Sequence, residues 1–167
     1  EETGMEVPPE PIMFMKATSA VIGPNDDVII PKNSFKSDWE VELGVIIGKQ
    51  GKRIPEEEAY DYIAGYTVFN DISARDIQAR EHSNNVILLG KSFDTSCPLG
   101  PYLVTTDEIP DPNVLDMELR VNGKVHQKAK TGDMILRCHL KHHVVTAHER
   151  GDDEAIVAEL MDILKYR

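Results

Sequence analysis

The sequence predicts an α+β domain made mostly of short strands joined by a few short helices, and three observations predict it. Apolar residues alternate with polar ones over short runs, the period of a half-buried strand. One pair of such runs is separated by Asn122-Gly123, the strongest short-range signal for a hairpin. Helical signals are brief, apart from one apolar stripe near the end of the chain.

The elements follow in order. Met5 to Pro11 is proline-rich and reads as an extended entry segment, followed by a short strand over Ile12 to Met15. Gly23-Pro24-Asn25-Asp26-Asp27 is a turn before a strand at Val28-Ile29-Ile30. A longer strand covers 39–47. Pro55 opens a short helix whose first turn carries Glu56, Glu57 and Glu58, acids that suit the positive end of the helix dipole. Ile63 to Phe69 is a strand ending at Asn70-Asp71, and Ser73 then caps a helix with Asp76 three residues on. Leu103-Val104-Thr105 continues the sheet, and 117–127 forms the hairpin. Between Asp152 and Leu164, Ile156, Val157, Leu160, Ile163 and Leu164 mark a helical stripe.

A chain of 167 residues is long enough for one domain with a real core. Its net charge of −11, with no basic patch to offset it, argues against nucleic acid or an anionic membrane as a partner. No apolar run approaches the roughly 18 residues of a spanning helix. Cys97 and Cys138 lie far apart without partners at metal spacing, which suggests a reducing compartment, most simply the cytoplasm. The chain opens Glu1-Glu2-Thr3-Gly4 with neither Met nor a signal-peptide pattern, and is expected to be an interior part of a longer gene product.

The most informative stretch is Asp38-Trp39-Glu40-Val41-Glu42-Leu43-Gly44-Val45-Ile46-Ile47-Gly48. Alternation puts Trp39, Val41, Leu43, Val45 and Ile47 on one face, and Glu40 and Glu42 together on the other. Like charges on so hydrophobic a strand repel each other and resist desolvation, so positive charge is expected between them. A hard divalent cation (Mg2+, Mn2+ or Ca2+) answers that need, and a solvated acidic face is the plain alternative. Asp71 stands at the carboxyl end of a strand, and the next helix places Arg75 and Gln78 on one face with His82 a turn further on. Lys91 sits beside Gly90, whose missing side chain would let backbone approach a ligand. Acids could hold a metal and cations an anionic substrate. Each also has a bland reading: a helix cap for Asp71, a solvated helix face for Arg75 and Gln78, a surface lysine for Lys91.

Five blocks in order resemble the fumarylacetoacetate hydrolase family. They are Pro11 to Lys16, Glu40 to Lys49, Gly65 to Gln78, Gly90 to Asp94, and Val121-Asn122-Gly123, with Lys91 lying 20 residues after Asp71. The resemblance covers about residues 1–135, and 136–167 is an atypical tail, helical over 152–164. It implies a mixed β-sheet rolled on itself with the active site in its mouth. It implies that Glu40, Glu42 and Asp71 bind Mg2+ or a similar ion, and that Arg75, Gln78 and Lys91 face a 2-oxo or 2,4-dioxo acid substrate. Lys91 would add positive charge where an enolate forms. The general base would be a His-x-x-Glu pair whose Glu matches Glu2 and whose His precedes Glu1. A homodimer is implied as well.

The expected activity is hydrolysis of a carbon–carbon bond in an acylpyruvate or another 2,4-dioxo acid. The alternatives on the same scaffold are isomerisation or decarboxylation of 2-hydroxymuconate-type dioic acids, dehydration of a 2-oxo-3-deoxy acid, or an inactive, truncated metal-binding remnant. The tail lacks the Gly-Thr-Pro loop of the family, and its His139, His142, His143 and His148 are irregularly spaced, more like a solvated basic linker than a metal site.

Overall fold

The structure, a computed structural model, describes residues 13–79 and 87–134. Its centre is an antiparallel pair, β3 (Val41–Ile47) and β4 (Ile63–Asn70), in register from Val41 opposite Asn70 to Ile47 opposite Ile63. Residues directly opposite share a face. Leu43, Val45 and Ile47 join Tyr66, Ile63 and Ile109 in one apolar cluster, as the alternation requires. Glu42, opposite Phe69, belongs to the other face, where Phe69 packs with Ala20, Cys97 and Leu99. β3, which carries Glu42 and directly follows Glu40, therefore has core on both of its faces.

Smaller ladders surround this pair. β1 (Val21–Ile22) runs parallel to β6 (Cys97–Pro98), and β2 (Ser37–Asp38) antiparallel to β5 (Ser73–Ala74). β7 (Val104–Thr105) extends β4 at Gly65 and Tyr66. Gly65 is required there, since a Cβ would collide with the Val104 carbonyl oxygen. The hairpin is β8 (Asp116–Val121) and β9 (Lys124–Lys130), and positive φ at both Asn122 (52°) and Gly123 (79°) makes its turn the mirror-image type expected of Asn-Gly. It leans on β3: Val41 N–H donates to Gln127 Oε1 at 2.9 Å, and the Trp39 and His126 rings meet edge to face at 5.1 Å. Two short helices, α1 (Arg75–Gln78) and α2 (Ile87–Lys91), complete an α+β fold of mixed strand pairing.

Several expectations need correction. Residues 13–17 form no ladder, because a side chain satisfies the backbone instead: Ser92 Oγ accepts from Ala17 N–H (3.1 Å) and donates to the Met15 carbonyl (3.0 Å). Ile12 lies outside the described residues. Val28 to Ile30 is no strand either; Ile29 N–H donates to Thr95 Oγ1 at 2.7 Å, and Ile29 and Ile30 are exposed. The central strand pairs from Val41, not Trp39. The Pro55 helix is a 3₁₀ helix, Glu56–Tyr62. Ser73 caps nothing: it is paired in β5, and Asp76 accepts from Ser34 Oγ (2.7 Å) and Phe35 N–H (2.8 Å). Helix α1 ends at Gln78, and His82 lies outside the described residues, as does the stripe at 152–164. Among the described residues, no helix is long and apolar enough to cross a membrane.

Candidate metal and substrate site

Four local features bring the site together. The end of β4 is clamped to the start of the glutamate strand, with Asp71 N–H donating to the Glu40 carbonyl (2.9 Å) and Glu40 N–H donating to Asn70 Oδ1 (3.1 Å). The β2–β5 ladder sets Asp38 opposite Ser73, next to Arg75. Helix α2 lies close on α1 through Gly90, where a Cβ would stand 2.8 Å from Gln78 Cβ and 3.0 Å from the Ala74 carbonyl oxygen. Gly90 therefore serves helix packing, not close approach of a ligand as expected. That packing aims Lys91, at the end of α2, into the site. Finally, the segment held by Ser92 delivers Lys16 from the opposite direction.

The result is a cluster of alternating charge. Glu40, Glu42 and Asp71 can each offer an oxygen lying within 4.8 Å of the others. Lys91 Nζ donates to Glu40 Oε2 and Asp71 Oδ2, each at 2.6 Å, and is 5.3 Å from the centre of the Phe14 ring. Lys16 Nζ donates to Asp71 Oδ1 at 2.6 Å and to the Ile72 carbonyl at 3.3 Å. Arg75 is paired through Nη2 with Glu40 Oε1 and donates through Nε to Asp38 Oδ2 (2.9 Å) and through Nη1 to Gln78 Oε1 (3.2 Å). The Asp71 side chain is fully buried, and those of Lys91 and Lys16 are 1% and 4% exposed. None of the three is a surface group or a mere helix cap.

Burial is the largest influence on Lys91 and pulls its pKa down, but the charges of Asp71 and Glu40 and hydrogen bonds to both outweigh it, leaving the ammonium above the ordinary lysine value. Arg75 behaves in the same way: desolvation is opposed and overcome by Glu40 and Asp38. Both cations stay charged at any physiological pH. The positive charge expected beside Glu40 is thus partly supplied by side chains. The oxygen-only donor set fits a hard divalent ion and would not suit a soft one.

The structure brings together Glu40, Glu42, Asp71, Arg75, Gln78 and Lys91. Glu2 lies outside the described residues. Sequence reasoning gave no role to Lys16 or Asp38. Lys16 is a lone cation closing the apolar run Ile12 to Met15, and Asp38 heads the acidic run of the glutamate strand; both are visible signals once the folded chain shows where they lead.

Sequence comparison decides the family. The pattern of the fumarylacetoacetate (FAA) hydrolase C-terminal domain matches residues 1–142. This chain belongs to the fumarylacetoacetate hydrolase family. Within the family it is 49% identical over 136 residues to a mitochondrial oxaloacetate tautomerase of Xenopus laevis, a match covering 81% of this chain and 42% of that protein. Among solved structures, a 2-hydroxyhepta-2,4-diene-1,7-dioate isomerase from Mycobacterium marinum aligns with a TM-score of 0.68 at 39% identity, over 75% of this chain and 47% of the other. A maleylpyruvate hydrolase from Sphingobium, solved with manganese(II) and pyruvate, aligns with a TM-score of 0.66 at 36% identity, over 75% and 44%. The chain spans less than half the length of the curated relatives it matches. The two solved structures share the α+β fold of this chain, and the three relatives are by name a tautomerase, an isomerase and a hydrolase.

Proposed function

We propose that this chain carries the catalytic centre of a divalent-metal-dependent hydrolase acting on the carbon–carbon bond of acylpyruvates or related 2,4-dioxo acids. The observation that carries the reading is the convergence of Glu40, Glu42 and Asp71 within 4.8 Å inside a ring of cations. Glu40, Glu42 and Asp71 would hold Mg2+, Mn2+ or Ca2+, and such an ion supplies Lewis-acid polarisation of a 2-oxo oxygen. The chain's own residues do the rest. Lys91 places a permanent positive charge beside Glu40 and Asp71, where negative charge develops on the substrate's oxygen. Arg75 is held by Asp38 and Glu40, so its Nη1 edge, whose partner is the neutral amide of Gln78, is the part that faces a substrate carboxylate together with Gln78. Glu2, whose role rests on the family resemblance alone, would act as the general base that activates the attacking water.

A second reading is favoured by the names of the relatives: tautomerase or isomerase chemistry, which needs the same enolate stabilisation and no attacking water. Decarboxylation and 2-oxo-3-deoxy acid dehydration share that requirement. Products from a panel of acylpyruvates, oxaloacetate and muconate-type dioates separate these activities. Release of pyruvate from an acylpyruvate, abolished by chelator, supports the hydrolase; change in the enol absorbance alone supports the tautomerase. No turnover of any panel member, with a divalent ion still bound, leaves the metal-binding remnant.

Self-association as a homodimer belongs to the same proposal. Phe35 (89% exposed), Tyr102 (76%) and Leu103 (53%) are large apolar groups that a second copy could cover. Sedimentation showing only an 18.7 kDa species at micromolar concentration would count against it. A cytoplasmic location is part of the proposal too, and the mitochondrial relative makes an organelle the alternative.

A further inference from the structure

We propose that Lys16 sets the metal preference of this site by keeping one oxygen of Asp71 out of the coordination shell. The inference rests on the metal reading above and adds a residue to it. The two Asp71 oxygens are divided between two lysines, Oδ1 with Lys16 and Oδ2 with Lys91, both at 2.6 Å. The two lysines differ in what else they hold. Both carboxylates that Lys91 bridges belong to the candidate ligand set, so an incoming ion competes with Lys91 for its own ligands. Lys16 has an anchor outside that set, the Ile72 carbonyl at 3.3 Å. Its backbone is fixed on both sides as well, through Ser92 Oγ to Met15 and Ala17. Among the described residues Lys16 is paired with one carboxylate and Lys91 with two, so a buried Lys16 that gave up Oδ1 would be left uncompensated, and it keeps that oxygen whichever ion arrives.

Asp71 then has one oxygen to give. Mg2+ and Mn2+ are satisfied by one oxygen from each carboxylate in a compact octahedral shell, whereas Ca2+ reaches its higher coordination number through bidentate carboxylates. By withholding Oδ1, Lys16 disfavours the larger ion. It acts through Asp71 and is a positioning residue, not a catalytic one.

Titration calorimetry of chelator-stripped protein with Mg2+ and with Ca2+ tests this on wild type and Lys16→Met. Loss of a positive charge should tighten both ions together, so the ratio of the two affinities is the readout. The Ca2+-to-Mg2+ affinity ratio is expected to rise on the order of 10-fold, because the freed Oδ1 adds a ligand atom that Ca2+ can use and a compact Mg2+ shell does not need. An unchanged ratio with both ions bound overturns the role of Lys16 and leaves the metal reading intact. Binding of neither ion by wild type overturns both. A crystal structure of wild type with Ca2+ decides independently of whether the variant folds. Asp71 bound through one oxygen with Lys16 on the other supports the inference, and both Asp71 oxygens on the ion overturn it.

Discussion

Removing the Lys91 ammonium should weaken the metal-free fold and strengthen metal binding at the same time. Lys91 bridges Glu40 and Asp71 at 2.6 Å on each side, with its side chain 1% exposed. In Lys91→Met the two carboxylates face each other with oxygens within 4.8 Å. Two like charges at that separation repel by about 3.5 kcal/mol at an effective dielectric constant of 20. Arg75 remains on Glu40 and Lys16 on Asp71, and they absorb part of it. A net loss of about 2–3 kcal/mol follows, at or just below the roughly 3–5 kcal/mol that breaking a buried pair costs, because the two remaining cations compensate. Urea unfolding of chelator-stripped protein measures it. A divalent ion no longer competes with an ammonium in the variant, so its dissociation constant should fall by about 10-fold or more, each 10-fold being 1.4 kcal/mol. Ion at about 100 times the dissociation constant adds roughly 2.7 kcal/mol and should recover most of the lost stability. Stripped Lys91→Met within about 0.5 kcal/mol of wild type, the spread of ordinary surface substitutions, would refute the reasoning. So would weaker metal binding in the variant.

Three further outcomes are expected. Gly65→Ala drives a Cβ into the Val104 carbonyl oxygen and should lower stability by about 1–3 kcal/mol through overpacking, read as a lower urea midpoint with unchanged slope. Asp38→Asn loosens Arg75, and because both side chains are partly exposed (41% and 36%) stability should change little, while KM for a turned-over 2-oxo acid rises and metal affinity holds. An unchanged KM would remove Asp38 from the account. Asp76 is held below the usual carboxylate range, chiefly by the Ser34 hydroxyl and then by Phe35 N–H. A depressed carboxylate stabilises the fold above its unfolded pKa, so the deficit of Asp76→Ala should be present at pH 7 and shrink as pH falls below about 4. A deficit independent of pH would contradict that origin.

The legible parts of the sequence were those whose signal is local. Alternation from Val41 to Ile47 assigned both faces of β3, and Asn122-Gly123 placed the hairpin turn, because each rests on the geometry of adjacent residues. The short β-prone runs misled. Val28 to Ile30 has the composition of a strand, yet its backbone is bonded by Thr95 Oγ1, a side chain 66 residues away. Ser73 and Asp76 spell a capping box, but Ser34 and Phe35, 42 and 41 residues upstream, take the Asp76 carboxylate, and Ser73 pairs with Asp38. Tertiary partners overrode local chemistry in both places. Lys16 and Asp38 were hidden for the same reason, since they reach Asp71 and Arg75 across 55 and 37 residues of sequence.

Diffraction from crystals of this chain soaked with Mn2+, with data collected at the manganese edge, tests the central claim most directly. One anomalous peak touched by carboxylate oxygens of Glu40, Glu42 and Asp71, with Lys16 still on Asp71 Oδ1, is the result the account predicts. Manganese bound elsewhere, or no peak while Lys91 still bridges Glu40 and Asp71, would contradict it.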